Sequence, residues 1–376
     1  MKLYLVAGEA SGDVRGAELI RSLRARQEGL EVHGFGGPQM AALAEAGAVH
    51  DWIGRAGVIG IIDVVKQYGY FKRQFDVALG EIARGKPDAV VLIDYPGFNL
   101  RLAAALKKAG AAAKVIDYIS PQVWAWNRGR IPKMARILDL MICIFPFEKP
   151  LYEASGLKTV FVGHPMLDSL AGKRIAGPRE ENLLGLLPGS REREVRKIYP
   201  VMLEAARLLA KDRPGLRIEA AAPSEEMRGG MEEIGRRYPD VQCIIGVKTA
   251  YELMQRATAG MVASGTATLE AAYFGLPFVL IYKAAWLTFL IGRRLVKVKW
   301  LGMPNILVER EVVREFLQEA AQPAAIATEL GSVLDDAGVR AAFQESLRPV
   351  IARLGEPGAS DRAAEAILAV VGTSPR

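Results

Sequence analysis

At 376 residues, 51% hydrophobic and 24% charged, the chain can bury two ordinary cores and is too apolar to be disordered. Its net charge of +7 favours anionic partners such as nucleotides, nucleic acid or a phospholipid surface, and is equally the mark of a basic solvated face. Two cysteines, Cys143 and Cys243, and three scattered histidines, His33, His50 and His164, exclude a disulfide framework and a His-based metal site.

Strand and helix patterns alternate from the start. Met-Lys leads directly into the strand "LYLVAG", which does not read as a signal peptide, so a cytoplasmic protein is expected. The loop "GEASGD" (Gly8 to Asp13) follows, then a helix from Val14. "LEVHGFGG" is a strand and glycine turn, and "DAVVLIDYPGFN" carries an apolar run suited to a strand buried on both faces of a parallel sheet. "KVIDYIS", "LMICIF" and "TVFVGHP" continue the series. Apolar periodicity then fades until Leu183, which places a boundary near residue 166. The pattern restarts with the strands "LLGLLPGS", "LRIEAAAP", "VQCIIG", "AGMVASG" and "PFVLIY", with helices between them. The apolar stretch Ala271 to Gly292 is interrupted by Pro277 and Lys283, so it reads as a helix end, a strand and a surface helix rather than a membrane span.

The expected fold is α/β: two doubly wound, Rossmann-like domains facing a cleft, residues 1–166 and 167–345, with residues 346–376 as helices returning to the first domain. Ligands of such sheets sit outside the carboxyl ends of the strands, so strand-end loops carry the candidate chemistry. In Pro188-Gly189-Ser190-Arg191, the glycine lets backbone approach a ligand, the next helix presents unpaired amides, and the arginine offers a fork to a diphosphate. The alternative is a surface arginine in a turn. Ser264-Gly265-Thr266 opens a second such helix, and Glu270, one turn in, either accepts from ribose hydroxyls or simply favours the helix start. Asp94 closes a buried strand just before a proline, as a turn aspartate or as a general base. The small residues around Gly8, Glu9 and Ser11 allow close backbone approach, and Glu9 and Asp13 are candidates to orient polar groups there. No Asp-x-Asp and no Gly-x-Gly-x-x-Gly occurs, so neither a metal nor a dinucleotide cofactor is expected.

The ordered set "AGEASGD", "GFGGPQM", "IDYPGFN", "SPQVWAW", "FPFE", "VGHPM", "LPGSREREV", "ASGTATLE" and "MPNIL" resembles the lipid A disaccharide synthase family, from Ala7 to about Leu307. The resemblance implies a bacterial inverting glycosyltransferase of glycosyltransferase B architecture. It joins UDP-2,3-diacylglucosamine to 2,3-diacylglucosamine 1-phosphate, giving a β-1,6-linked disaccharide 1-phosphate and UDP. It implies Asp94 as the base, Arg191 on the diphosphate, Glu270 on the ribose and Asn305 near the cleft. Gly97 stands where many relatives carry Asp, and Gln39 where arginine is commoner.

Two segments mix apolar and basic residues: Val58 to Phe75 and Ala284 to Gly302. They read either as core helices with basic ends or as a face docking on an anionic membrane surface. In the second reading Trp286, Phe289, Leu290 and Trp300 enter the interface, with Arg293, Arg294, Lys297 and Lys299 towards the headgroups. The implied place is the inner face of the inner membrane, peripherally attached. Nucleic acid is not expected as a partner; composition leaves the oligomeric state open, a homodimer included. The rival readings are a UDP-sugar epimerase or another lipid glycosyltransferase of the same fold, and a non-enzymatic basic membrane- or RNA-binding protein. The epimerase's relatives open with Gly-Thr-Arg-Pro-Glu, where this chain has Gly-Glu-Ala-Ser-Gly-Asp.

Overall fold

The computed structural model describes residues 1–56, 68–283 and 298–372. The chain divides into two compact units, Met1–Ser169 with Leu354–Arg376, and Leu170–Arg353. Each is built on one parallel sheet.

In the first unit the strands are β1 (Lys2–Ala7), β2 (Glu31–Gly36), β3 (Val49–Asp51), β4 (Ala89–Ile93), β5 (Lys114–Tyr118), β6 (Leu140–Cys143) and β7 (Thr159–Phe161). Their order across the sheet is β3-β2-β1-β4-β5-β6-β7. β4 is buried at every residue, as a run of Val, Leu and Ile must be when helices cover both faces of a parallel sheet. The helix α1 (Ala10–Arg24) follows β1 and α2 (Pro96–Lys108) follows β4. Trp52 is buried at the centre of an aromatic cluster with Phe35, Phe71, Tyr95 and Phe98, and its indole N–H donates to Ala7 O at 2.6 Å.

The C-terminal helix Ala359–Gly372 packs in this unit, against α1, as the sequence predicts. Asp168 caps its start, accepting from the amides of Gly358 and Ala359 at 2.5 and 3.0 Å. Arg26 of the chain just after α1 pairs with Asp361 and Glu365 of that helix at 2.8 and 3.1 Å.

The second unit holds β8 (Leu183–Leu187), β9 (Arg217–Ala222), β10 (Cys243–Val247), β11 (Ala259–Ala263), β12 (Phe278–Tyr282) and β13 (Glu315–Leu317), in the order β10-β9-β8-β11-β12-β13. The helix α3 (Glu192–Lys211) follows β8 and lays an apolar face, including Val195, Ile198, Met202 and Leu209, on the sheet. The short helix α4 (Ala267–Tyr273) follows β11, and α5 (Met303–Val308) precedes β13.

Strand order reverses at one place in each sheet, between β1 and β4 and between β8 and β11. Loops leaving neighbouring strands in opposite directions open a crevice there, which is where open α/β sheets bind ligands.

Candidate active site

All four predicted loops leave the strands flanking these two switch points. In the first unit they are residues 8–13 after β1 and 94–99 after β4. Asp94 and Tyr95 take left-handed backbone conformations, φ 52° and 51°, an uncommon state for residues with a Cβ. The turn is held from several sides. The Asp94 amide donates to Tyr118 O of β5 at 3.1 Å, and fully buried Asn99 donates to Asp94 O at 2.6 Å. The Tyr95 hydroxyl donates to Ala56 O at 3.0 Å. The Tyr95 ring packs against Gly8, where a Cβ would overlap it, so glycine there is a packing requirement.

The Asp94 carboxyl accepts only its neighbour's amide, Tyr95 N to Oδ1 at 2.9 Å, among the described residues. No cation pairs with it there. Burial therefore raises its pKa above the usual aspartate range, and the one amide bond opposes that weakly. Behind it lies Asp117 of β5, fully buried, with one oxygen unpartnered among the described residues. Burial first, then the Asp94 and Glu148 carboxyls, pushes Asp117 well above the carboxylate range.

The glycine-rich loop after β1 differs from its expectation. The helix begins at Ala10, not Val14, so Ser11, Gly12 and Asp13 form its first turn. Asp13 is buried and accepts from the amides of Gly37, Gln39 and Met40 at 2.9, 3.0 and 2.9 Å. It organises the "GFGGPQM" turn from within and is withdrawn from any ligand. Glu9 is the half-exposed N-cap position, and Ser11 is exposed.

In the second unit, Gly189 and Gly265 sit at φ 106° and 144°, conformations that favour glycine. Gly189 packs toward Ala263 at the end of β11, so the two loops are neighbours. Arg191 is the N-cap of the 20-residue α3, whose first amides lack intrahelical acceptors. Its side chain is exposed, and its guanidinium meets Glu194 at 3.0 Å. Ser190, Gly265 and Thr266 are exposed and Ser264 half-buried. At seven residues α4 has little macrodipole, so an anion at Ser264 to Thr266 would have to be held by individual loop amides. Glu270 is largely buried and accepts from the Tyr251 hydroxyl at 3.1 Å. Burial raises its pKa, while Tyr251 and Lys173 oppose the rise. The Lys173 ammonium sits over the Tyr251 ring, 4.8 Å from its centroid.

Asn305 is fully buried in α5. Its amide donates to Val313 O and Glu315 Oε1, both at 2.8 Å, and its oxygen accepts from Val312 N and Val313 N at 2.8 and 3.0 Å. Every donor and acceptor of the side chain is thereby used inside the unit. Away from the strand carboxyl ends, a cavity of about 550 Å³ is lined by Arg174, Arg179, Gln255 and Gln344. Arg179 there donates to carbonyls at the ends of two helices, Met254 and Phe274 among them. Burial lowers its pKa to about 10.

Residues 3–370 match the sequence profile of the family described as Lipid-A-disaccharide synthetase. A lipid-A-disaccharide synthase of Trichlorobacter lovleyi is 40% identical over 384 residues, covering 98% of this chain and 97% of that protein. Another, of Pseudomonas aeruginosa, is 35% identical over 381 residues, with 99% and 98% coverage. The chain belongs to the lipid-A-disaccharide synthase family.

Solved structures agree on the fold. UDP-GlcNAc 2-epimerase of Neisseria meningitidis, bound to UDP-GlcNAc, has a TM-score of 0.63 at 13% identity, covering 98% of this chain and 100% of that one. Acinetobacter baumannii MurG has a TM-score of 0.59 at 13% identity, with 98% and 99% coverage. Identities so low speak for the architecture alone. Membership of the synthase family makes this a bacterial glycosyltransferase of lipid A biosynthesis.

For this lipid A glycosyltransferase, sequence reasoning missed Tyr95, Asp117, Tyr251 and Lys173. Tyr95 carried no sequence signal: a residue before proline is biased towards extended backbone, and its contact with Gly8 is made by the fold. Tyr251 and Lys173 reach Glu270 only through the fold. The proposed membrane residues Trp286, Phe289, Leu290, Arg293, Arg294 and Lys297 lie outside the described residues. Of the flanking positions, Tyr68 is exposed, and the Lys299 ammonium lies 4.5 Å from the Trp300 ring centroid. Among the described residues no helix is long and apolar enough to cross a membrane, and no group of three or more His, Cys, Asp or Glu side chains could hold a metal ion.

Proposed function

We propose that this family member transfers 2,3-diacylglucosamine from UDP to the 6-hydroxyl of 2,3-diacylglucosamine 1-phosphate, with inversion and without a metal ion. The observation that carries the reading is Asp94, a desolvated carboxylate without a cation partner among the described residues, fixed at the switch point by a strained turn. Its carboxylate takes the proton of the acceptor hydroxyl as that oxygen attacks the donor's anomeric carbon. The bond from that carbon to the UDP oxygen breaks on the opposite side, and the products are the β-1,6 disaccharide 1-phosphate and UDP. Proton removal late in the transition state needs alignment more than basicity, so a carboxylate serves.

UDP gathers negative charge as it leaves. Arg191, the first amides of α3 and the loop amides around Ser190 and Ser264 to Thr266 supply the opposing charge in this reading. The absence of an Asp-x-Asp pair from the sequence supports metal independence. Glu270, held by Tyr251, takes the ribose hydroxyls. Gly8, Glu9 and Ser11 border the acceptor, and Asn305 supports the segment 312–315 rather than touching a ligand. The apolar and basic pattern of residues 284–302 supports peripheral docking on an anionic membrane surface, which would bring the acyl chains to the enzyme. The test is single-turnover reaction of purified protein with both substrates, following UDP release and product linkage. Retention at the anomeric carbon, or a rate abolished by chelator and restored by Mg²⁺, would contradict it.

A further inference from the structure

The loop leaving β5 carries an exposed cationic and aromatic surface. Trp126 is 41% exposed, and the Arg130 guanidinium stacks on it, 4.9 Å from the ring centroid. Arg128 is exposed too; its Nε donates to Trp124 O at 3.0 Å, which leaves its two terminal nitrogens directed elsewhere. Among the described residues neither arginine pairs with a carboxylate. Two exposed guanidinium groups without an acid partner, two residues apart on one short turn, suit a doubly charged oxyanion.

The loop is anchored rather than loose. Trp124 is buried and donates to Glu148 Oε1 at 2.9 Å, and the other oxygen of buried Glu148 accepts from Phe145 N at 3.1 Å. Trp124 also packs edge-on against Phe147. The loop root is fixed beside the proposed base, since the Asp94 amide donates to Tyr118 O, one residue before the loop departs. Adjacent strands lie about 5 Å apart, a spacing that one hexose bridges. A sugar with its hydroxyl at Asp94 would extend towards the root of this loop.

We propose that Arg128 and Arg130, the latter seated on Trp126, form the subsite for the phosphate monoester of the acceptor sugar. This rests on the glycosyl-transfer reading above. The subsite selects acceptors by their anomeric phosphate and sets the sugar's direction across Asp94.

The test compares the protein with its Arg128→Ala/Arg130→Ala variant, by calorimetric titration with glucosamine 1-phosphate and with glucosamine. Transfer to the diacylated acceptor with and without its phosphate is measured alongside. UDP affinity and thermal melting report that the variant is folded. The intact protein should favour the phosphorylated ligand, and the variant should lose about 10- to 100-fold of that preference. Unchanged preference in the variant, or no preference in the intact protein, overturns the proposal. So does a variant that loses only its binding to phosphatidylglycerol vesicles, which would make the patch a headgroup contact. Absence of transfer by the intact protein would retire the glycosyl-transfer reading, while the titrations would still decide the subsite.

Discussion

Asp94 combines a strained backbone with a desolvated carboxyl, and the two have separate consequences. Asp94→Asn keeps the shape and the turn while removing the basicity, so turnover should fall roughly 10²–10⁴-fold with UDP affinity intact. Near-normal turnover would return the residue to a structural role. The sign of its pH dependence follows from burial. As the proposed base, Asp94 works only when ionised, so activity should be lost as pH falls through a pKa raised above the ordinary 3.8. The acid limb of kcat/KM should therefore sit above the usual aspartate range and vanish in the asparagine variant. At the diphosphate loop, Arg191→Ala should weaken UDP binding and slow transfer together, and Arg191→Lys should recover little because the fork is lost. Unchanged UDP affinity in calorimetry of the alanine variant would remove Arg191 from the site. Asp94, Arg191 and Glu270 were legible as residues because each closes or follows an apolar strand in the sequence. Asn305 was legible only as a motif member; its four internal hydrogen bonds, to residues seven to ten positions on, are tertiary.

Elements are set by where such polar groups are spent. "GEASGD" reads as a loop because its residues favour turns, yet the helix starts at Ala10. Packing overrides propensity here: Gly12 lies against Ala7 and Ile93, and Asp13 turns inward to three amides of the 37–40 turn. Asp13→Ala would strand those donors and should cost about 3 kcal/mol in denaturant unfolding. β3 and β13 escaped the sequence reading for a simpler reason: "VHD" and "EFL" are short with no apolar run around them, whereas the equally short β7 lies in the apolar "VFV". The Glu148 anchor makes a second prediction at this scale. Burial raises its pKa from the ordinary 4.5 to about 7, so the folded state holds a proton that the unfolded chain releases near 4.5. Its contribution to stability is complete below pH 4.5, declines as pH rises, and is lost above about 7. The slope is about 1.4 kcal/mol per pH unit across that window. Denaturant midpoints from pH 4.5 to 8 should show this decline relative to Glu148→Gln; parallel curves would mean the carboxyl is ionised throughout.

At the scale of the whole molecule, alternation of strand and helix made the two doubly wound sheets legible, because a parallel strand buried on both faces writes a continuous apolar run. The switch points were not legible, since strand order is a property of pairing rather than of any one segment. Once the order is known, the loops singled out by composition fall at those points, and this agreement ties the fold to the chemistry. The proposed base loop belongs to one unit and the proposed diphosphate loops to the other, so each unit's binding can be measured separately by variants of its own residues. The most direct measurement incubates the purified protein with UDP-2,3-diacylglucosamine and 2,3-diacylglucosamine 1-phosphate in excess chelator, and assigns the product by NMR. The account predicts one UDP released per β-1,6-linked disaccharide 1-phosphate formed; an epimerised UDP-sugar with the acceptor untouched, or an α-linked product, would contradict it.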